Sequence, residues 1–243
     1  MGELPGSAKR RDGILIFRMN ATCPPRRIWQ MDIEKMDNPY DGRYAGEDYY
    51  WGKRPSALCD RLIEMVRPAG DFSLSLLDLG CGEGRNAVYF ARHGFRVTGV
   101  DLSLSGLKKA ERFAQEMEVG IELVHADIIT YEVRGIYDVI FSTGTLHYLP
   151  KEVRDQKFRN YKDCTSPGGA NAFSVLVEKP FIPTAPDAEA CAFLYRSGEL
   201  MGYYWDWEIV HAVEEIFDCM SSGKPHQHAV NRVIARRYGG GAS

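Results

Sequence analysis

The sequence lacks three features that would assign a chain of 243 residues to a specialised class. It has no strong charge excess, because 30 Lys and Arg residues stand against 33 Asp and Glu residues, for a formal net charge of −3. It has no long hydrophobic run, since the early apolar stretch at residues 14–17 is shorter than the core of a signal peptide or a membrane span. Its six cysteines include no Cys-x-x-Cys pair.

Each absence removes a class of function. Without a basic excess we expect no binding to nucleic acid, and without a long apolar segment no insertion into a membrane. Scattered cysteines disfavour a metal cluster or a disulfide framework and fit a reducing cytoplasm. We therefore expect a cytoplasmic protein without a metal ion, whose partner is a small molecule.

The composition that remains is that of an ordinary globular chain, with 44% hydrophobic and 26% charged residues. Residues 1–38 mix charge runs with prolines and show no apolar periodicity, which predicts a poorly ordered tail. A basic arm for nucleic acid is the alternative, but acidic residues interrupt its bases. We expect one folded domain at residues 39–237 and a flexible C-terminal tail at residues 238–243.

Strands and helices are predicted to alternate along this domain. Short apolar strands are expected at residues 74–79, 96–100, 121–125, 137–142 and 172–177. Segments with helical spacing separate most of them, with Ser103 as an N-cap, Pro150 at a helix start and residues 167–169 as a turn. Two β-rich segments, residues 207–217 and 229–236, flank a turn-like stretch. The fold class is α/β, a doubly wound parallel sheet that finishes antiparallel.

The segment that contains most of the ligand-binding signals begins at Leu76 and reads LLDLGCGEGRNAVYFARHGFRVTGVDLS. Gly80, Gly82 and Gly84 lie between a predicted strand and a predicted helix, where missing side chains let a ligand approach the backbone N–H groups. Asp101 follows the next strand, 21 residues after Gly80, at the separation that suits ribose hydroxyls. A dinucleotide and an adenosyl ligand both satisfy this pattern.

Three further features distinguish the two ligands. The third glycine of a dinucleotide fingerprint would fall at Arg85. Asp127 and Ile128 end the third strand and suit an adenine amino group, and the sheet ends in an antiparallel pair. With these motifs the chain resembles class I S-adenosylmethionine (AdoMet) methyltransferases from about residue 40 to residue 237. YDVIFSTGTLHYLP, SPGG and GELMGYYWDWEIV are similar to the tellurite-resistance-type branch, which methylates small substrates including metalloid oxyanions.

The resemblance implies a Rossmann-like sheet of seven strands in the order 3-2-1-4-5-7-6, with AdoMet as cofactor. It places the glycine turn around the methionine part, Asp101 at the ribose, and Asp127 with Ile128 at the adenine. The whole set of expected cofactor positions is Trp51, Asp78, Gly80, Cys81, Gly82, Gly84, Asp101, Leu102, Asp127, Ile128, Ser142 and Thr143. The implied activity is methyl transfer to a small molecule, such as a metalloid oxyanion, a selenium or tellurium species, or a thiol. A nicotinamide oxidoreductase and a non-catalytic AdoMet-fold binding protein are the alternatives.

Several of these residues have a structural alternative. Asp78 is expected to anchor the loop by hydrogen bonds rather than to act as a base, and Cys81 to fill a small site. Residues 49–51 either stack on the ligand or pack on the first helix. His147 either faces the transferred methyl group or is exposed at a helix start.

The last two candidates are His226 and His228, which lie two residues apart and so project to one face of the final strand. Because that strand runs antiparallel, it begins where ligands of doubly wound sheets bind. We expect both histidines at the acceptor entrance, and with His147 they complete the catalytic candidates; a polar hairpin end without a role is the alternative. A general base is needed for a hydroxyl or ammonium acceptor, but not for an anionic selenium, tellurium or thiolate nucleophile. Two histidines alone make a weak metal site.

Overall fold

The computed structural model describes residues 10–11, 14–15, 39–66, 73–186, 193–220 and 223–239. Most of the predicted tails, at residues 1–38 and 238–243, therefore lies outside the described residues. Arg10–Arg11 and Ile14–Leu15 form a two-stranded antiparallel pair. Within the described ranges, no helix combines the length and the apolar character that a bilayer crossing requires.

The domain is built on one sheet of seven strands. Their bounds are Ser75–Leu79 (β1), Arg96–Asp101 (β2), Ile121–His125 (β3), Tyr137–Thr143 (β4), Thr165–Val177 (β5), Glu208–Cys219 (β6) and His226–Arg236 (β7). Strands β1 to β5 pair in parallel, whereas β7 runs antiparallel to both β5 and β6. The predicted order 3-2-1-4-5-7-6 and the terminal antiparallel pair are confirmed.

Helices cover both faces of the sheet. Their bounds are Pro39–Tyr44 (α1), Ala57–Val66 (α2), Arg85–Arg92 (α3), Leu104–Glu116 (α4), Lys151–Asp163 (α5) and Glu199–Gly202 (α6), with a 3₁₀ turn at Leu146–Tyr148. Leu76 belongs to the apolar cluster that includes α2, α3 and α4, and its neighbour Leu77 to the cluster that includes α5. This alternation is what a strand buried on both faces requires.

Local signals in the sequence specify some helix ends better than others. Ser103 caps α4 as predicted, because its side-chain oxygen accepts a bond of 3.0 Å from the Gly106 backbone N–H. Pro150 lies at the start of α5 as predicted; its extended ψ of 146° makes it the N-cap, the residue directly before Lys151. Residues 167–169 do not turn the chain into β5; they lie within it, where Gly168 has a φ of +80° and the register between β4 and β5 shifts.

Candidate active site

A cavity of about 630 Å³ opens at the carboxyl ends of the central strands, within the size range of small-molecule sites. The glycine turn lies on one side of it and the β6–β7 pair on the other. Nine of the twelve expected cofactor positions line it: Trp51, Gly80, Cys81, Gly82, Asp101, Leu102, Asp127, Ile128 and Thr143. His147 and His228 line it as well.

Backbone hydrogen bonds hold the glycine turn in place. The N–H groups of Gly80 and Cys81 donate to the Val100 carbonyl at 2.7 and 3.0 Å. Gly80 has a φ of +77°, and a Cβ there would lie 2.0 Å from the Thr145 hydroxyl oxygen. Gly82 has a φ of +53°, and its Cβ would lie 3.1 Å from the Tyr44 hydroxyl. Larger residues are therefore excluded by both conformation and space.

The third glycine of the turn has a packing role. Gly84 precedes α3 with a φ of +85°, and among the described residues it does not belong to the cavity lining. A Cβ at this position would lie 2.7 Å from the Ala110 Cβ and 2.8 Å from the Ala110 Cα. Gly84 thus allows the close approach of α3 and α4, and its assignment to the cofactor stays a prediction.

Asp101 connects the end of β2 to the glycine turn. Its carboxylate accepts bonds from the backbone N–H groups of Gly82 at 2.7 Å and Ser103 at 2.8 Å. Burial raises the pKa of Asp101 to about 6, although both of these bonds favour the charged form. The carboxylate therefore faces the cavity in a fixed orientation.

The third strand contributes the next pair of residues. The Asp127 carboxylate accepts a bond of 2.9 Å from the Ile129 N–H, and the Ile128 side chain is buried beside it. His125 binds the Leu102 carbonyl at 2.8 Å through Nε2, which connects the ends of β2 and β3. This places an acidic and an apolar side chain next to each other at the cavity wall.

Two residues expected to contact the cofactor, Asp78 and Ser142, are buried beneath the glycine turn and do not line the cavity in the described part of the chain. Asp78 is fully buried, is not part of the cavity lining in the described ranges, and neither of its carboxyl oxygens has a hydrogen-bond partner. The expectation of a hydrogen-bond anchor is therefore wrong. Burial, with a smaller contribution from the charge of Asp101, raises the pKa of Asp78 to about 8. Ser142, equally buried, donates a bond of 2.6 Å to the Leu79 carbonyl rather than lining the cavity.

The aromatic residues 49–51 do not share one role: Trp51 faces the cavity, as one alternative predicted, whereas Tyr49 packs on α4 and not on the first helix. Tyr49 packs edge-on against Phe113 of α4 at 5.6 Å, and its hydroxyl donates to the Lys109 carbonyl. Trp51 lines the cavity, remains 39% exposed, and donates from Nε1 to the Tyr44 hydroxyl at 3.2 Å. One tyrosine is therefore structural, whereas the tryptophan faces the ligand space.

A buried ion pair holds this aromatic segment over the turn. Lys109 of α4 binds the Glu83 carboxylate at 2.8 Å and also the carbonyl of Asp48. The other Glu83 oxygen accepts a bond of 3.3 Å from the Trp51 N–H. Glu83 therefore links the turn to the segment that covers it.

His147 is placed by the 3₁₀ turn after β4. Only 3% of its surface is exposed, so the alternative of a solvent-exposed histidine is wrong. Burial, together with the nearby charges of His228 and Arg154, lowers its pKa to about 3. The imidazole is neutral near pH 7, and its buried Nδ1 has no hydrogen-bond partner among the described residues.

The β6–β7 pair brings His226 and His228 together as predicted, with their Nε2 atoms 2.9 Å apart. Only His228 of this pair reaches the cavity wall in the part of the chain that the structure describes. His226 Nδ1 lies 2.8 Å from the Lys224 carbonyl, which directs this ring towards the hairpin end. Cys219, which pairs across the strands with His226, lies beside both rings.

Several residues of the cavity wall were not among those predicted from the sequence. Arg232 lines the cavity and forms an ion pair with Glu215 of β6. The alternation of side chains along β7 would have found it, because His228, Val230 and Arg232 share one face. Asn86, which bridges Ser56 and Thr143 by bonds of 2.9 and 3.0 Å, carries no comparable signal.

The family model described as Tellurite resistance protein TehB matches residues 46–231. The chain belongs to this family. The probable S-adenosyl-L-methionine-dependent methyltransferase TehB of Haemophilus influenzae is 29% identical over 177 residues, which cover 72% of this chain and 60% of that protein. The chain thus spans about three fifths of the length of this TehB relative.

Solved structures agree with the TehB assignment at the level of the fold. The crystal structure of TehB from Haemophilus influenzae superposes with a TM-score of 0.66 at 23% identity, over 82% of this chain and 65% of that one. The N-methyltransferase NodS from Bradyrhizobium japonicum, in complex with S-adenosyl-L-homocysteine, gives a TM-score of 0.61 at 16% identity, over 82% and 97%. With the strand order described above, these likenesses show the class I methyltransferase fold.

Proposed function

We propose that this TehB-family chain binds AdoMet and transfers its methyl group to a small acceptor. The acceptor is a metalloid oxyanion, a selenium or tellurium species, or a thiol. The observation that supports the proposal is a single cavity with two unlike sides. A rigid glycine turn with two acidic residues lies on one side, and His147, His228 and Arg232 lie on the other.

The cofactor side fits an adenosyl ligand. Gly80 and Gly82 leave backbone exposed at the turn. Asp101 follows the next strand, at the sequence separation from the turn that suits a bond to a ribose. Asp127 and Ile128 supply an acceptor for an amino group and an apolar contact for a ring. The dinucleotide fingerprint requires a third glycine, for close helix–strand packing, at the position that Arg85 occupies in this chain.

AdoMet, when bound, supplies a methyl group on a sulfonium, which needs no further activation. The protein must then align the donor with the nucleophile and exclude water. The rings of Trp51 and Tyr44 can attract a positively charged sulfonium, at about 0.5–2 kcal/mol for each such contact. Tyr40 and Tyr148, whose hydroxyl oxygens lie 2.7 Å apart, extend this aromatic wall.

The acceptor side favours a nucleophile that is already anionic. Arg232 carries a permanent positive charge that can hold an oxyanion. His147 is a weak proton acceptor near pH 7, because its pKa is about 3, so its neutral ring can orient an acceptor but is poorly matched to general-base catalysis. With AdoMet bound, the lone pair of such an acceptor would form the bond to the methyl carbon, and S-adenosylhomocysteine would be the leaving group.

Calorimetry with AdoMet, S-adenosylhomocysteine and NAD tests the cofactor. We expect binding of the first two and none of NAD; tight NAD binding without AdoMet binding would indicate an oxidoreductase and contradict the proposal. The acceptor is tested with a panel of tellurite, selenite, small thiols, phenols and amines, scored by release of S-adenosylhomocysteine. Turnover confined to the oxyanions and thiols supports the proposed class. AdoMet binding without turnover across the panel would make the chain a binding protein.

A further inference from the structure

Three atoms that can ligate a metal ion, one sulfur and two nitrogens, meet at the hairpin end of the sheet. Cys219 Sγ and a ring nitrogen of each of His226 and His228 all lie within 4.8 Å of one another. The strand register produces this arrangement, because Cys219 is paired directly with His226 across β6 and β7. Side chains at directly paired positions share one face, and His228 lies two residues further along the same face.

The spacing of the two imidazoles is close to that of metal ligands. Their Nε2 atoms are 2.9 Å apart, whereas two nitrogens at about 2.0–2.1 Å from a tetrahedral Zn²⁺ would be separated by roughly 3.3 Å. Small rotations of the rings and of the Cys219 side chain would complete the site, and all three side chains are only partly buried.

The hydrogen bond at Nδ1 of His226 favours the tautomer that leaves Nε2 free to bind a metal ion. His226 Nδ1 lies 2.8 Å from the Lys224 carbonyl, an oxygen that can only accept. The proton of the neutral ring therefore belongs on Nδ1, which leaves a lone pair on Nε2. Metal-ligating histidines in proteins commonly have such a carbonyl partner on the second nitrogen.

We propose that Cys219, His226 and His228 bind a divalent transition metal ion, Zn²⁺ in the first place. One thiolate and two imidazoles match the ligand preferences of zinc, and three protein ligands are typical of zinc sites that keep an open coordination position. Cys219 and His228 also line the cavity, so the open position faces the ligand space. There it would bind an oxyanion or thiol acceptor, a role that rests on the proposed function, whereas the metal site itself does not.

Other described cysteines lack this environment. Burial raises the pKa values of Cys59 and Cys81, which disfavours their thiolates. Cys164 directly follows α5, and its thiol donates to the Val133 carbonyl at 3.2 Å. Cys164 is therefore a suitable control cysteine.

The test uses the full chain, reduced and stripped of metal, and titrated with Zn²⁺ by calorimetry and with Co²⁺ by absorption spectroscopy. We expect one ion per chain and a thiolate-to-cobalt charge-transfer band. Cys219→Ser should abolish the band, and His226→Ala or His228→Ala should each lower Zn²⁺ affinity at least about tenfold. Cys164→Ser and His93→Ala, which alter a thiol and an exposed imidazole elsewhere, should leave both readouts unchanged.

Absence of stoichiometric Zn²⁺ binding by the parent chain would overturn the proposal. So would a cobalt band that survives Cys219→Ser, or one that disappears in Cys164→Ser. Circular dichroism of each metal-free variant shows whether it is folded, and the two histidine variants provide a test that does not depend on the cysteine variant. Metal binding without methyl transfer would contradict the proposed function and leave the metal site intact, so the two failures are distinguishable.

Discussion

The two sides of the cavity are built in different ways. On the cofactor side, the turn from Gly80 to Gly82 is fixed by backbone hydrogen bonds to Val100 and Asp101 and is buried against Thr145 and Tyr44. On the acceptor side, partly buried side chains of β6 and β7 form the wall. A wall made of backbone tolerates few substitutions, whereas a wall made of side chains can change its ligand by single replacements.

The charges of the two sides differ as well. Asp101 and Asp127 lie at the cofactor side, where AdoMet would carry a positive sulfonium. Arg232 lies at the acceptor side, where an anionic nucleophile would bind. Opposite charges on the two sides of the cavity would favour binding of a cationic methyl donor on one side and an anionic acceptor on the other.

The largest effect is expected from breaking the backbone wall. Gly82→Val places a β-branched residue at a φ of +53° with its Cβ near the Tyr44 hydroxyl. Asp101→Ala removes the carboxylate that holds the Gly82 N–H and, in our proposal, a ribose, a loss of roughly 1.5–3 kcal/mol. Each change should lower AdoMet affinity at least about tenfold by calorimetry. Gly46→Val, where a Cβ meets nothing within 4 Å, is the control; folded variants that bind AdoMet like the parent would show that the pocket is wrongly assigned.

The next effect concerns the buried acid beneath the turn. Asp78 has a pKa of about 8 in the folded chain and an ordinary value of 3.8, so the unfolded chain loses this proton first as pH rises. Asp78 therefore lowers the free energy of unfolding progressively between about pH 4 and pH 8. Asp78→Asn should remove this decline. Urea denaturation at several pH values measures it, and an unchanged slope in the variant would mean that Asp78 is ionised in the fold.

A smaller effect of opposite sign is expected from the acceptor side. The pKa of His147 is lowered to about 3, against an ordinary value of 6.5, so the unfolded chain binds a proton first as pH falls. The contribution of His147 is complete above about pH 6.5 and is lost as pH falls towards 3. His147→Gln should flatten the acid side of the stability profile. An NMR titration that shows the His147 ring protonating near pH 6.5 would exclude this explanation.

The side-chain wall should affect turnover without affecting the cofactor. His226→Ala and His228→Ala are expected to lower acceptor turnover severalfold, because His228 lines the cavity and His226 contacts the His228 ring. AdoMet affinity should remain within about twofold, since distant sites contribute nearly independently. Turnover equal to that of the parent in both variants, with the true acceptor, would reduce the pair to a structural hairpin end.

The same contrast explains what the sequence could predict. The positions of the parallel strands, the cap at Ser103 and the turn at Gly80 and Gly82 are encoded within short segments, so periodicity and local spacing predict them. The order of the strands in the sheet is implied by the resemblance to class I methyltransferases. The lack of hydrogen-bond partners at Asp78 and the burial of His147 result from packing between segments that are distant in the sequence, and no local pattern specifies such packing. The position of Cys219 depends on the register of β6 against β7, and spacing rules for metal sites overlook ligands that a hairpin brings together.

The smallest effect is expected at the N-terminus. Residues 1–35 show no apolar periodicity. The two short strands that the structure describes there, Arg10–Arg11 and Ile14–Leu15, have two residues each, and the second lies beside the edge strand β3. Deleting residues 1–35 should therefore change the free energy of unfolding by less than about 1 kcal/mol, or roughly 2–4 °C in Tm. Deleting residues 1–44 is the comparison: it removes α1 and with it Tyr44, which is buried at the turn, so both Tm and AdoMet affinity should fall. A large drop in Tm from the shorter deletion alone would show that the segment packs on the domain and that the boundary at residue 39 is misplaced.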